Sequence, residues 1–565
     1  MIKNGIDFTG RALRFLSSEV RGLHAAAYVL AACALLSSLL ALVRDRLLAH
    51  SFGASATLDL YYAGFRIPDL IFVATAALVS VYMLIPELAR RGESGQRDYI
   101  DTIVAGFSLF AVLVAGVAAL LAPLILGYLF PAFTGEQASQ LVMITRIMLL
   151  QPILLGLSNI LAAVTQSRHR YALYALSPLL YNIGIIAGVA FLYPVWGVAG
   201  LAWGVVIGAL LHAGIQIPAV ISDGFLRRLP RFREPRALVH TALVSVPRAL
   251  ALSMSQLAFL GLTALAGTLA AGSIAVFMFA YNLASVPLAI IGASYSVAAF
   301  PTLATALSRG ERAQFIEHVA TAARYVFFWS IPVSAFILVL RAYVVRVILG
   351  SGAFDWTDTR LTAACFALFS LALAAQGLQL LLVRAYYAAG QTVVPLVISF
   401  GTMAATLAFA IGTLGILDNA GILHTVSALL RIEDLPGARV VALGFSYALA
   451  SIAGAVVLAL HFEYRFGGFF AQVRRAFAES CVAALLGGAG AYVTLSLFSP
   501  LFPSTETLPV FLLGFIGGIS GIVVAALTYH LLGSREYKET FASVRARLWR
   551  RAEEEGVTIV TSAET

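Results

Sequence analysis

Apolar residues in this chain come in blocks too long for the core of a water-soluble protein. The stretches 24–43, 102–128, 171–193 and 507–533 each run at least 20 residues without an Asp, Glu, Lys or Arg. About 20 such residues carry a helix across the hydrocarbon core of a bilayer. Backbone exposed to lipid must satisfy its own hydrogen bonds, so these blocks read as helices. The alternating pattern of a membrane barrel, in segments of about ten residues, is absent. The reading gives fourteen spans: 24–43, 60–89, 102–128, 140–165, 171–193, 197–221, 240–266, 273–305, 320–349, 362–385, 392–415, 438–461, 473–498 and 507–533. Composition agrees, because 60% of the 565 residues are hydrophobic and 12% charged, with a mean hydropathy of +0.91. Soluble domains carry about 25% charge, so the excess of apolar residues must face lipid. The expected fold is an all-α polytopic membrane protein of about 14 transmembrane helices.

Charge placement orients those helices. With fourteen spans both termini lie on one side, and basic residues should collect in the cytoplasmic segments. Of the 37 Lys and Arg, 26 fall on the terminus side, including Arg11, Arg14, Arg90, Arg91, Arg168, Arg170, the run Arg227 to Arg236, and the tail from Arg535 to Arg551. The opposite side holds seven, among them Arg44, Arg46 and Arg360, and Arg66, Arg146, Arg248 and Arg324 fall inside spans. Both termini are therefore expected in the cytoplasm of a cell whose inner membrane the chain crosses. The net charge of +9 follows from topology and calls for no nucleic acid; anionic headgroups are the natural partner of basic segments beside spans. Residues 1–23 lack the short apolar core of a cleavable signal, and 8–22 reads as an interfacial amphipathic helix. Cys33, Cys365 and Cys481 stand alone within spans, suggesting neither a disulfide framework nor a metal site.

An internal repeat organises the spans. Gly53, Tyr62 and Pro68 recur as Gly272, Tyr281 and Pro287 at a shift of 219, and Pro178 and Gly184 recur as Pro395 and Gly401 at a shift of 217. The expected organisation follows: an interfacial segment 1–23, a six-helix half 24–221, a basic cytoplasmic linker 222–239, a second six-helix half 240–461, two extra helices within 462–533, and a basic tail 534–565. Two pseudo-symmetric bundles that rock around a central site are a common transporter plan.

Enzyme chemistry finds no foothold. The sequence has no HExxH, no GxxxxGK[ST] and no GxSxG, and its nine histidines form no ligand-like pair on a helix face; no cofactor or metal is expected. Charge inside a membrane is costly and marks function by default. The densest group is Arg44-Asp45-Arg46 with Asp59, Arg66 and Asp69, where spacings of 7 and 3 put the last three near one helical stripe lining a polar cavity. Arg248, after Pro247 in the seventh span, would face the same cavity from the other half. Arg46 reads as a snorkelling anchor, and Asp59 and Asp69 as groups that orient or neutralise nearby arginines. Arg146 and Arg324 read as structural, and Gly514, Gly517, Gly518 and Gly521 as close helix packing.

The stretch Ser37-Ser38-Leu39-Leu40-Ala41-Leu42-Val43-Arg44-Asp45, then Phe52-Gly53-Ala54, Asp59 and Phe65-Arg66-Ile67-Pro68-Asp69-Leu70, resembles the signature of the MurJ/MviN family. That signature reads S-R-V-L-G-x-x-R-D, F-G-A, D-A-F and F-[KR]-[IL]-P-N-L. The likeness implies the fold of the multidrug/oligosaccharidyl-lipid/polysaccharide exporter superfamily and flipping of lipid II, the undecaprenyl-linked peptidoglycan precursor. Ser38, Phe72 and Asn282 stand where the family has arginine, leaving Arg44 as the shared cavity arginine and Asp45 and Asp59 as shared acids. The resemblance thus implies that Arg44, helped by Arg66 or Arg248, grips the pyrophosphate while Asp45 and Asp59 orient the arginines. With no nucleotide-binding motif, the drive would be an ion gradient, the membrane potential or the substrate gradient. The alternatives are the same fold acting on another polyprenyl-linked oligosaccharide or a drug, and a non-transporting scaffold that recruits cell-wall synthesis proteins.

Overall fold

The computed structural model describes residues 23–79, 81–502, 506–543 and 545. The expected interfacial helix at 8–22 and the tail beyond 545 lie outside them. Among the described residues there is no strand. Among the described residues eleven helices are long and apolar enough to cross a membrane. The pair Trp356–Ser370 and Leu373–Ala388, bent by 44°, makes twelve if taken as one span. These twelve correspond to the third through fourteenth expected spans. The first apolar block lies in the helix Leu23–Phe52, and the second is not one helix but three pieces, Ala56–Gly64, Arg66–Leu78 and Val81–Ala89. Pro68 accounts for the first break: it has no amide hydrogen to give the carbonyl of Gly64 four residues earlier.

Packing divides the chain into two units. One comprises Met1–Phe279, Ile348–Thr362 and Thr392–Ser446, the other Ala280–Val347, Ala363–Gln391 and Tyr447–Thr565. The division at 279/280 falls inside the helix Ser273–Leu288, whereas the halves 24–221 and 240–461 rest on sequence similarity.

In the first unit a glycine seam joins Tyr171–Trp196 to Val198–Ser222. A Cβ on Gly184 would lie 2.2 Å from the Gly208 Cα, and one on Gly204 2.5 Å from the Gly188 Cα. Small residues at this spacing let helix backbones meet where lipid supplies no hydrophobic drive to association. The turn between the two helices is a single residue, Gly197, at φ 56, a conformation that suits a residue without Cβ.

In the second unit Phe469–Phe498 and Thr507–Leu531 pack through the same chemistry. A Cβ on Gly521 would lie 3.0 Å from Ala491 Cβ, one on Gly517 2.8 Å from Leu495, and one on Gly514 2.9 Å from Tyr343. The last-span glycines are thus packing positions. Beyond that span Arg324 Nε meets Glu536 Oε1 at 2.9 Å with both side chains largely buried, and the Tyr529 hydroxyl donates to the Phe328 carbonyl at 2.9 Å. Arg324 therefore ties the segment after Leu531 to the helix Arg312–Leu349.

Candidate functional site

Arg44, Asp45 and Arg46 occupy the last part of the Leu23–Phe52 helix. Arg44 and Arg46 are two positions apart, so they point to different faces and find different partners. The Asp45 Oδ1 accepts from Arg44 Nε at 2.9 Å and from Nη2 at 2.8 Å, while Arg44 Nη1 donates to Asn182 Oδ1 at 3.0 Å. Asn182 is itself fixed by donating to the Pro178 carbonyl at 3.0 Å. The fork is thus oriented on two edges and keeps 21% of its side-chain surface exposed, against 6% for Asp45. Arg46 Nη1 donates to the Ile348 carbonyl at 3.0 Å, in the last turn of Arg312–Leu349. A cation there complements the helix dipole, so the partner observed is a helix end and not the lipid interface that snorkelling implies.

Arg66 is buried, with 7% exposure. It donates to the Tyr62 carbonyl at 3.2 Å, approaches Asp69 Oδ2 at 3.5 Å, and lies over the Phe259 ring at 5.7 Å. Gln151 Nε2 completes the cluster on Asp69 Oδ1 at 3.4 Å. In this conformation Arg66 points into the packing of the first unit. Arg248 stands in the helix Pro235–Gly267, and its side chain lies outside the described part of the structure.

Asp59 meets backbone amides and, among the described residues, pairs with no arginine. Its carboxylate accepts from the backbone amides of Gly272 at 2.6 Å and Ala275 at 2.8 Å, and so caps the first turn of Ser273–Leu288. Orphan amides at a helix N-terminus favour an anion. The expected stripe does not form one cluster: Asp59 meets the amides of Gly272 and Ala275, whereas Arg66 lies over the Phe259 ring and beside Asp69. A matching contact runs the other way. Asp358 Oδ2 accepts from the Ala54 amide at 2.9 Å, and the His50 carbonyl from the Ala353 amide at 2.9 Å. Three glycines make these approaches possible. Gly53, Gly272 and Gly352 all have positive φ, and a Cβ on them would lie 2.6 Å from Ala353 O, 2.2 Å from Ala54 O and 2.4 Å from His50 O. Segments 50–59, 272–275 and 352–358 thus form one seam of backbone and carboxylate. Its sequence signal was the recurrence of an acid six residues after a glycine, Gly53 to Asp59 and Gly352 to Asp358. Among the described residues no group of three or more His, Cys, Asp or Glu could hold a metal.

A family model described as lipid II flippase MurJ matches residues 48–512. This chain belongs to that family. The match begins after Arg44 and Asp45, so their place in the MurJ pattern rests on the motif itself. Relatives include the probable lipid II flippase MurJ of Buchnera aphidicola subsp. Acyrthosiphon pisum (strain APS), 27% identical over 65% of this chain and 74% of the relative. The lipid II flippase MurJ of Burkholderia cenocepacia is 25% identical over 66% and 74%. Among solved structures, a lipid II flippase MurJ in an inward closed conformation is similar with a TM-score of 0.72 at 18% identity, covering 89% of this chain and 99% of that one. An inward-facing multidrug resistance MATE family transporter of the MOP superfamily reaches 0.61 at 15% identity, covering 77% and 95%. The MurJ fold, a multi-pass helical membrane protein, is thereby established, with the MATE transporter sharing its architecture more distantly.

Proposed function

We propose that this chain translocates lipid II across the cytoplasmic membrane by alternating access, as its MurJ relatives are named for doing. The match over residues 48–512 carries the reading. In it the pyrophosphate meets Arg44, whose guanidinium Asp45 and Asn182 hold in a fixed plane. A planar fork can give paired hydrogen bonds to phosphate oxygens. Arg248 is the proposed second cation. Arg66 would join only in a conformation that releases it from Asp69. Asp59 acts at the seam, which would part in the other access state. The polyprenyl tail stays in lipid, and the halves 24–221 and 240–461 rock against one another.

The orientation belongs to the same proposal. Fourteen spans put both termini and 222–239 in the cytoplasm and 416–437 and 499–506 outside, as the Lys/Arg asymmetry requires. Ser38, Phe72 and Asn282, where the family pattern has arginine, favour a second reading: the same movement with a different polyprenyl-linked glycan. Expression in a bacterium depleted of its own lipid II flippase separates the two. Restored growth and wall synthesis support lipid II as substrate. A well-inserted protein that restores neither overturns it and leaves the second reading.

A further inference from the structure

The helices Glu93–Leu129 and Glu136–Met148 hold a cation, Arg146, that stands outside the residues assigned above to the substrate headgroup. Pro123 has no amide hydrogen, so the Ala119 carbonyl four residues earlier loses its helical partner. Arg146 supplies one, with Nε donating to Ala119 O at 2.9 Å. That engages one of five guanidinium hydrogens. Among the described residues Arg146 joins no ion pair. The sole acid between positions 102 and 148 is Glu136, which accepts from the Gln140 amide at 2.9 Å and sits about 15 Å along the helix from Arg146. A positioned charge inside an expected span, joined to no acid among the described residues, invites a ligand.

Its surroundings specify which one. Arg146 lines a cleft of about 630 Å³ whose other walls include Leu126, Phe130, Phe133, Met143 and Ile147. The adjoining helix surface is strongly exposed and apolar at Leu120, Leu124 and Tyr128, as a lipid-facing surface is. Apolar walls do not suit a free phosphate or sugar, and a neutral amphiphile leaves the guanidinium unmet. We propose that this cleft binds an anionic glycerophospholipid of the bilayer, its phosphate on the free edge of the Arg146 fork and an acyl chain along Phe130, Met143 and Ile147. The leaflet is the one at the 130–135 turn, the outer one in the orientation proposed above; the chemistry does not depend on that assignment.

The test uses the full-length protein in a neutral detergent, titrated with phosphatidylglycerol or phosphatidylcholine and read by native mass spectrometry. The wild type should retain phosphatidylglycerol about tenfold better, as one charge-assisted hydrogen bond provides. Arg146→Gln should abolish the preference and Arg146→Lys keep part of it. Met143→Trp, which fills the cleft and keeps the charge, should lower retention of both lipids. Melting temperatures identify any variant that has not folded. A wild-type preference persisting in Arg146→Gln overturns the proposal. So does displacement of phosphatidylglycerol by undecaprenyl pyrophosphate in the wild type but not in Arg146→Gln, which would make the cleft a substrate site. Lipid retention is read apart from rescue of wall synthesis, so failure of this site and failure of the flippase reading are told apart.

Discussion

Asparagine at position 59 would keep the side chain's size and remove what makes it a latch. Asp59 is 3% exposed and accepts two amide hydrogens at the start of Ser273–Leu288. In Asp59→Asn one oxygen still accepts, but the new amide group sets its own hydrogens against the second donor. Losing one hydrogen bond to a charged acceptor costs about 2 kcal/mol, and the favourable charge at the helix N-terminus is lost with it. That energy corresponds to a factor of about 30 in an equilibrium constant. If the seam exists in one access state only, the balance between states moves by about that factor. The probe is a cysteine at Ser55, whose hydroxyl is buried beside the seam, in a chain with Cys33, Cys365 and Cys481 replaced by alanine. Labelling by a hydrophilic maleimide in unsealed membranes makes the reading independent of orientation. Where the closed state dominates, the variant should label about thirtyfold faster, in proportion to the gain in open molecules. An unchanged rate at an equal level of folded protein would refute the latch.

Three further outcomes follow from the geometry. Gly204→Leu drives a side chain into the backbone at Gly188 and should sharply reduce folded protein in the membrane, whereas Gly214→Leu, with nothing within 4 Å of its Cβ, should be tolerated; levels after detergent extraction decide. Gly272→Ala combines a 2.2 Å approach to Ala54 O with φ +88 and should lower the melting temperature, by an amount expected from about 1–3 kcal/mol of local strain; an unchanged melting temperature would remove the steric argument. Cysteines at Glu506 and Lys538, both exposed, should differ in labelling by an impermeant reagent in intact cells whose outer layers admit it, and equal labelling would contradict the proposed orientation.

Long apolar blocks betray membrane helices whatever their partners, so twelve of the expected spans were legible from hydropathy alone. Breaks within them were not. Hydropathy averages over a window and is blind to the missing amide of Pro68 and to the bend after Ser370. The pairing of Arg44 with Asp45 was legible because opposite charges stand side by side at the end of a span. The third member of the group, Asn182, lies 138 residues away, and only folding brings it there. Asp59 stood out as a charge beside a span, but its amide partners are 213 and 216 residues distant and no local spacing points to them. The seam at Gly184, Gly188, Gly204 and Gly208 carried its own signal in spacings of four, as did the last-span glycines read correctly as packing positions. Arg146 looked like a bland helix-end cation, and part of its role is indeed structural. Its match to the carbonyl orphaned by Pro123 depends on two helices meeting at a register that sequence spacing does not give.

Arg44 is proposed to handle a pyrophosphate-linked headgroup, and the appearance of lipid II on the outer leaflet measures that most closely. Cells depleted of their own flippase and expressing this chain would be treated with an impermeant enzyme that cleaves exposed lipid II headgroups, with membrane levels of each variant measured alongside. The wild type should restore cleavage. Arg44→Ala should abolish it. Arg44→Lys, which keeps the charge but loses the planar fork, should impair it, while Arg46→Lys should leave it near the wild-type level because a carbonyl at a helix end needs only a cation. Full cleavage with Arg44→Ala at normal membrane levels would mean that the headgroup is held elsewhere and that Arg44 does not grip it.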